Sequence, residues 1–243
     1  MKKVGIIQAR MGSSRLKGKV LKEVLGKPLL AYQVERIKRS TLLDEVIVAT
    51  TDQARDDEIV ELCQSLHLPF YRGEEEDVLD RYYKAAKYHR ADVIARFTGD
   101  CPVIDPQVID TVMKNYLKQK DAVQYASNTL QRTYPRGMDT EVFSFQALEA
   151  SHAQAKSKID REHVTRYITT HSSSFKLFNV THNKDYSSFR WTVDTREDFA
   201  LVKNMIEAIY PVLPHFTMED CIHLLEKKPA WKQINSHIEQ KRE

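Results

Sequence analysis

Residues 4–19, VGIIQARMGSSRLKGK, constrain the fold more tightly than any other stretch of the chain. Val4 to Ile7 is a short apolar run with the density of a strand buried on both faces. It passes without a spacer into Arg10, Gly12, Ser13, Ser14, Arg15, Gly18 and Lys19. Such a loop offers many backbone N–H groups, two hydroxyls and several cations. A polyphosphate needs donors that come close and charges that offset several anionic oxygens. One reading is a nucleoside triphosphate loop after the first strand. The other is a solvated basic turn, since short Gly/Ser/Lys loops are common. Two familiar phosphate loops do not fit. Gly12 and Gly18 enclose one residue too many for Walker A, and Lys19 precedes Val20 rather than Ser or Thr. The dinucleotide pattern G-x-G-x-x-G lacks its second glycine.

Beyond this loop the chain alternates. Leu30, Val34 and Ile37 fall on one face of a helix expected over 28–39, with Pro28 in its first turn and Gln33 and Arg36 as interleaved polar positions. Residues 45–50 read as a buried strand, 54–66 as a helix and 68–71 as a short strand. Strand–helix alternation of this kind signals a mostly parallel sheet. The acidic run Glu74-Glu75-Glu76-Asp77 reads as a solvated loop ending in an Asp77 helix cap.

A fourth strand, 91–97, runs into Thr98-Gly99-Asp100-Cys101-Pro102. Asp100 then sits at the carboxyl end of a parallel strand, where open α/β sheets bind ligands. A carboxylate there can hold Mg²⁺ or can stabilise its own turn. Arg96 faces the same crevice or caps the sheet edge. Asp105-Pro106 starts a helix over 108–117, followed by a strand at 122–126.

From Ser127 the alternation weakens. A strand is expected over 138–143 with Asp139 and Glu141 on one face, which makes that face a wet edge or part of a site. A helix follows over 145–152, and another begins at Asp160. His163, alone on an amphipathic helix, reads as structural rather than as a base. Strands are expected over 175–180 and 189–193. Asp194 then either caps the next helix with Glu197 or faces Asp100 as a second metal carboxylate. Thr217 caps a helix to Lys227, and a polar tail runs on from Pro229.

The 243 residues suit one α/β domain, 1–243, with an excursion over about 127–180. A net charge of +3 is too small to argue for nucleic acid or membrane binding, and no apolar run approaches a span. No signal peptide is evident, and Cys63, Cys101 and Cys221 are odd in number and scattered. A cytoplasmic, reducing setting is expected.

The ordered set Ala9-Arg10, Ser13/Ser14-Arg15, Lys19 and Gly26-Lys27-Pro28 resembles the opening of the cytidylyltransferases that activate sugar acids. The resemblance implies a three-layer α/β/α, Rossmann-like fold with a mostly parallel mixed sheet. It implies CTP on this loop, near Ala9, Gly12, Ser13 and Ser14, with Arg10, Arg15 and Lys19 on its phosphates as the catalytic cations. Asp77-Val78-Leu79-Asp80-Arg81-Tyr82 resembles a string of the spore-coat polysaccharide branch and implies Asp77, Val78 and Arg81 beside the cytidine, with Arg96 also toward the nucleotide. Gly99-Asp100-Cys101-Pro102 and Asp194-Thr195-Arg196-Glu197-Asp198 resemble the family's metal motifs and imply Mg²⁺ on Asp100 and Asp194. The segment from Pro135 to Phe143 implies Arg136, Asp139 and Glu141 over the acceptor. Glu162-His163-Val164-Thr165 resembles a string near the acceptor or a subunit contact, and relatives suggest a homodimer. The expected reaction moves CMP from CTP to a sugar acid of the nonulosonic type and releases pyrophosphate. Two rivals stand: a glycosyltransferase on a related sheet, which would show Asp-x-Asp where this chain has Gly99-Asp100-Cys101, and a non-catalytic nucleotide sensor.

Overall fold

A computed structural model describes residues 1–240; residues 241–243, the end of the expected polar tail, lie outside the described residues. The chain opens with β1 (Lys3–Gln8), whose Val4, Ile6 and Ile7 are fully buried. After the basic loop a short hairpin, β2 (Glu23–Val24) and β3 (Lys27–Pro28), turns through Leu25 and Gly26, both at positive φ, into α1 (Leu29–Ile37). There follow β4 (Glu45–Thr51), α2 (Asp57–Ser65), β5 (Phe70–Gly73), α3 (Val78–Tyr88), β6 (Val93–Thr98) and α4 (Pro106–Gln119). The second half holds β7 (Tyr125–Ser127), β8 (Glu141–Ser144), α5 (Phe145–Gln154), α6 (Lys158–Glu162), α7 (Arg166–Thr170) and β9 (Leu177–Asn179). It ends with α8 (Arg196–Ile209), α9 (Met218–Lys227) and α10 (Pro229–Lys232).

The main sheet has seven strands in the order β5-β4-β1-β6-β8-β7-β9. Strand β8 runs antiparallel to both neighbours and the other pairings are parallel, so the sheet is mixed but mostly parallel. One face packs on α1, α2 and α4 through residues such as Val34, Ile59 and Val112. The other packs on α3 and α5 through Leu79 and Leu148. That is the three-layer α/β/α arrangement that strands buried on both faces require. A further apolar cluster joins α8 and α9 to the outer side of α1 through Leu29, Tyr32, Met205 and Leu225. Among the described residues no helix is long and apolar enough to cross a membrane.

Four expectations are corrected here. Helix α1, expected to carry one apolar face, is buried almost all round, because α8 and α9 cover another side of it. Its polar residues are spent internally: Arg36 donates to the carbonyls of Ile104 (2.6 Å) and Phe216 (2.7 Å). The segment 189–193 is extended but no strand. Its backbone meets the irregular 135–138 segment at a single bridge, and Val193 N–H donates to Asp100 O at 2.8 Å, so no ladder forms. Gly137 permits that crossing: at φ 103° its missing Cβ would stand 2.8 Å from the Trp191 carbonyl carbon. Finally, the strand expected over 138–143 starts only at Glu141, and Asp160 lies inside a short helix, α6, rather than opening one.

Candidate active site

Strand order reverses at β1. The chain moves outward through β4 and β5, then returns to place β6 on the other side. Such a switch point leaves a crevice at the carboxyl ends of the strands. Here those ends nearly touch: Gly99 N–H donates to Gln8 O at 2.8 Å, and a Cβ on Gly99 would sit 2.8 Å from that same oxygen. A cavity of about 970 Å³ opens beside them.

The loop after β1 is held in shape by its neighbours. Buried Asp56, just before α2, accepts the Met11 N–H at 2.7 Å and also binds the Thr51 hydroxyl. Ser13 N–H donates to Met11 O, and Leu16 is buried as an apolar anchor. Gly12, Ser14 and Arg15 remain exposed at its tip. Arg10 pairs with Glu75 at 3.2 Å, and Arg55 pairs with the same carboxylate. Glu75 is therefore not part of a solvated acidic run. It is half-buried and binds two cations, while Arg81 fixes the Glu74 carbonyl at 2.6 Å.

Lys19 brings the two separated carboxylates together. Its ammonium lies 2.8 Å from Asp100 Oδ2 and 2.6 Å from Asp194 Oδ1. Arg15 reaches Asp194 Oδ2 at 3.0 Å. Asp100 also accepts the Thr98 hydroxyl at 2.6 Å, and its loop is braced from α1 by buried Gln33, which donates to Thr98 O and accepts the Cys101 N–H. Burial opposes the charged form of Asp100, but Lys19 and the Thr98 hydroxyl outweigh it and hold the carboxyl at about 2. Burial likewise opposes the charged form of Lys19, and Asp100 and Asp194 outweigh it, so its pKa is raised.

Two carboxylates that converge on one ammonium already form a cation site. They are hard oxygen ligands, too few for a complete shell, and suit Mg²⁺ that keeps waters and phosphate oxygens. Among the described residues no three His, Cys, Asp or Glu side chains gather into a fuller metal cluster. The depressed Asp100 pKa also has a stability consequence. It contributes stability above its ordinary value of 3.8 and loses it as pH falls toward about 2. Thermal melts by circular dichroism should therefore show wild type losing stability more steeply than Asp100→Asn across that interval. Parallel acid limbs would refute the pairing.

The far wall of the cavity is built on β6, β8 and the 127–170 segment. Arg96 and Glu141 stand opposite each other in register on β6 and β8 and form an ion pair. Tyr125 and Thr165 hydroxyls donate to the other Glu141 oxygen at 2.8 and 2.9 Å. Arg96 also donates to Gln8 Oε1. Arg132 forks onto Asp139 at 2.5 and 2.8 Å. Arg136 and His163 line the same cavity.

Of the residues singled out in the sequence, the structure brings Arg15, Lys19, Arg96, Asp100, Arg136, Asp139, Glu141 and Asp194 around one cavity. Ala9, Arg10, Gly12, Ser13 and Ser14 lie in the loop after β1 but not on the cavity lining, and Arg10 is turned toward Glu75. Asp77, Val78 and Arg81 are not brought to the cavity wall. Asp77 caps α3 through the Asp80 N–H and pairs with Arg161; Val78 is core; Arg81 is buried against the Glu74 carbonyl. Helix α8 is capped by Thr195 with Asp198, not by Asp194 with Glu197, which leaves the Asp194 carboxylate to the cavity. Sequence reading missed Gln33, Arg55, Asp56, Arg132 and Arg190. Gln33, Arg55 and Asp56 act through partners 20 or more residues away, while Arg132 and Arg190 act through partners four to eight residues off across irregular backbone that carries no periodic signal.

A family model described as cytidylyltransferase matches residues 4–235. The spore coat polysaccharide biosynthesis protein SpsF of Bacillus subtilis is 32% identical over 92% of this chain and 94% of its own length. The solved structure of a cytidylyltransferase from Leptospira borgpetersenii superposes with a TM-score of 0.91 at 33% identity, covering 100% of this chain and 99% of that one. A CMP:2-keto-3-deoxy-manno-octonic acid synthetase, solved in complex with CTP, gives a TM-score of 0.67 at 20% identity over 86% of this chain and 99% of that chain; at that identity the likeness is one of fold.

Proposed function

Because the chain belongs to the cytidylyltransferase family of CTP-dependent nucleotidyltransferases, we propose that it transfers CMP from CTP to a sugar acid, of the nonulosonic type, for a surface polysaccharide. One observation carries the reading: Lys19 joins Asp100 and Asp194 beside Arg15, on a cavity at the strand-order switch. A volume of about 970 Å³ is at the upper end of small-molecule sites and has room for a nucleotide and an acceptor side by side. The cytidylyltransferase family model supports the base, and the SpsF relative supports the polysaccharide setting.

In this reading the acceptor hydroxyl gives its proton to solvent water as its oxygen attacks the α-phosphorus. The new phosphorus–oxygen bond forms as the bond to the β-phosphate bridge breaks and pyrophosphate leaves. Arg10, Arg15 and Lys19 hold the β- and γ-phosphates and offset the charge that gathers on the leaving group. To do so they exchange the carboxylates they now bind, Glu75, Asp194 and Asp100, for phosphate oxygens. Asp100 and Asp194 would hold Mg²⁺, which when bound offsets charge on the α-phosphate. The wall of Arg136, Arg132–Asp139 and Glu141 orients the acceptor, as paired groups fixed before it arrives. Positioning and charge compensation are enough for phosphoryl chemistry without a dedicated base.

The test is a panel of nucleotides against acceptors, read by pyrophosphate. Release from CTP should require a 2-keto-3-deoxy sugar acid, with ATP, GTP and UTP at least tenfold poorer. Equal release from all four nucleotides would reject the cytidine assignment. Free nucleoside diphosphate as product would favour a glycosyltransferase instead.

A further inference from the structure

Three cations converge on the Asp194 carboxylate, and they are not equivalent. Lys19 binds Oδ1 at 2.6 Å; Arg15 and Arg190 bind Oδ2 at 3.0 and 3.1 Å. Lys19 and Arg15 come from the loop after β1, which the proposed function turns toward phosphates. Arg190 approaches from behind. Its side chain is 7% exposed, and its guanidinium forks onto Asp198 with Nε to Oδ1 at 2.9 Å and Nη2 to Oδ2 at 3.0 Å.

Asp198 is a fixed support. It is fully buried in the first turn of α8, where its Oδ2 accepts the N–H groups of Asp194 and Thr195, both at 3.1 Å. Asn235, from the segment after α10, donates to its Oδ1 at 2.8 Å and to Arg190 O at 2.9 Å. Gln240 accepts from Arg190 Nη1. Asp198 thus binds the backbone of Asp194, while Arg190, locked on Asp198, binds the side chain of Asp194. Arg190 takes Oδ2 and leaves Oδ1 directed at the point shared with Asp100.

We propose that Arg190 is a positioning residue: it aims Asp194 Oδ1 toward Asp100 and keeps it there after Arg15 and Lys19 have moved to the triphosphate. The inference rests on the reading of Asp194 as a metal-side carboxylate. Without Arg190 that side chain would lose the one partner that is buried and forked, and its rotamers would compete. Lysine is a poor substitute, because one ammonium cannot reproduce the Nε and Nη2 fork on Asp198 while also reaching Asp194 Oδ2 and Gln240.

The experiment uses the full chain and two variants. Arg190→Lys keeps a cation for Asp198. The double variant Arg190→Gln/Asp198→Asn removes both charges, so no unpaired charge stays buried. Mn²⁺ is titrated against protein and CTP without acceptor, and protein-held Mn²⁺ is read by its water-proton relaxation above that of the Mn²⁺–CTP complex. Loss of an outer-shell partner costs about 10–100-fold in metal affinity. Both folded variants should bind Mn²⁺ that much more weakly and lose kcat to a similar degree. KM for CTP should move less than about threefold, because Arg10, Arg15 and Lys19 remain to hold its phosphates. Wild-type Mn²⁺ affinity in a folded variant would overturn the proposal, whatever happens to kcat. Asp194→Asn separates the two ideas. If it too keeps wild-type Mn²⁺ affinity, the metal reading of Asp194 fails; if only it loses Mn²⁺, the role of Arg190 alone fails.

Discussion

Asp194→Asn should lower kcat for CMP transfer by about 10³ or more while the protein stays folded, and Asp100→Asn should do the same; several kcal/mol of charge compensation at the transferring phosphate would be lost in each. The fold survives the loss of either charge, although Asp100→Asn gives up the stability of its ion pair with Lys19. Helix α8 begins on the Thr195–Asp198 capping box, which Asp194 does not enter through its side chain. The Asp100 loop is held by Gln33 and by the Asp100 carbonyl, which accepts Val193 N–H, contacts that Asn leaves in place. An amide keeps the shape of each side chain but removes the charge that pairs with Lys19. The expected result is a folded protein whose melting temperature falls by no more than about 10 °C, the most that losing the Asp100 ion pair should cost, with kcat and not KM for CTP carrying the loss. Turnover within about tenfold of wild type in either variant would sink the assignment of both carboxylates to the transfer step.

Glu141→Ala should be the most destabilising single change in the cavity wall, costing about 3–5 kcal/mol, because it strands Arg96 without its partner in a buried site. For a chain of this size that corresponds to a fall in melting temperature of roughly 6–20 °C. Glu141 lies on β8 directly across from Arg96 on β6, and its two oxygens serve Arg96, Tyr125 and Thr165. Burial opposes its charge, but Arg96 outweighs that and keeps its pKa low, so the pair is ionised. A matched apolar pair, Arg96→Met/Glu141→Leu, should recover most of the loss, since removing both charges leaves neither uncompensated. A melting temperature for Glu141→Ala within about 2 °C of wild type would mean the pair carries no structural weight and Glu141 serves only the acceptor.

Residues whose role depends on near neighbours were the readable ones. Asp77, Asp105 and Thr217 cap α3, α4 and α9 as the sequence suggests, because a cap needs only its own backbone angles and an N–H two or three residues on. Pairings across the sheet were not readable. Asp139 and Glu141 look alike on paper, yet one forks with Arg132 at the cavity and the other is locked to Arg96. That split follows from where β8 starts and which strand it meets, and periodicity within a strand carries no register between strands.

By itself, then, the order of residues determined the alternating strand and helix layers, the loop of donors and cations after β1, and the starts of α3, α4 and α9, all of which come from backbone preference and apolar spacing acting over a few residues. Only the tertiary structure decided which charges meet. Lys19, Asp100 and the local Arg190–Asp194 pair come from widely separated parts of the chain, and they meet because β1 and β6 lie side by side at the strand-order switch while Asp198 pins the 190–195 segment against it. Coulomb attraction is selective only at contact distance, so partner choice waits for packing to fix which side chains come within reach.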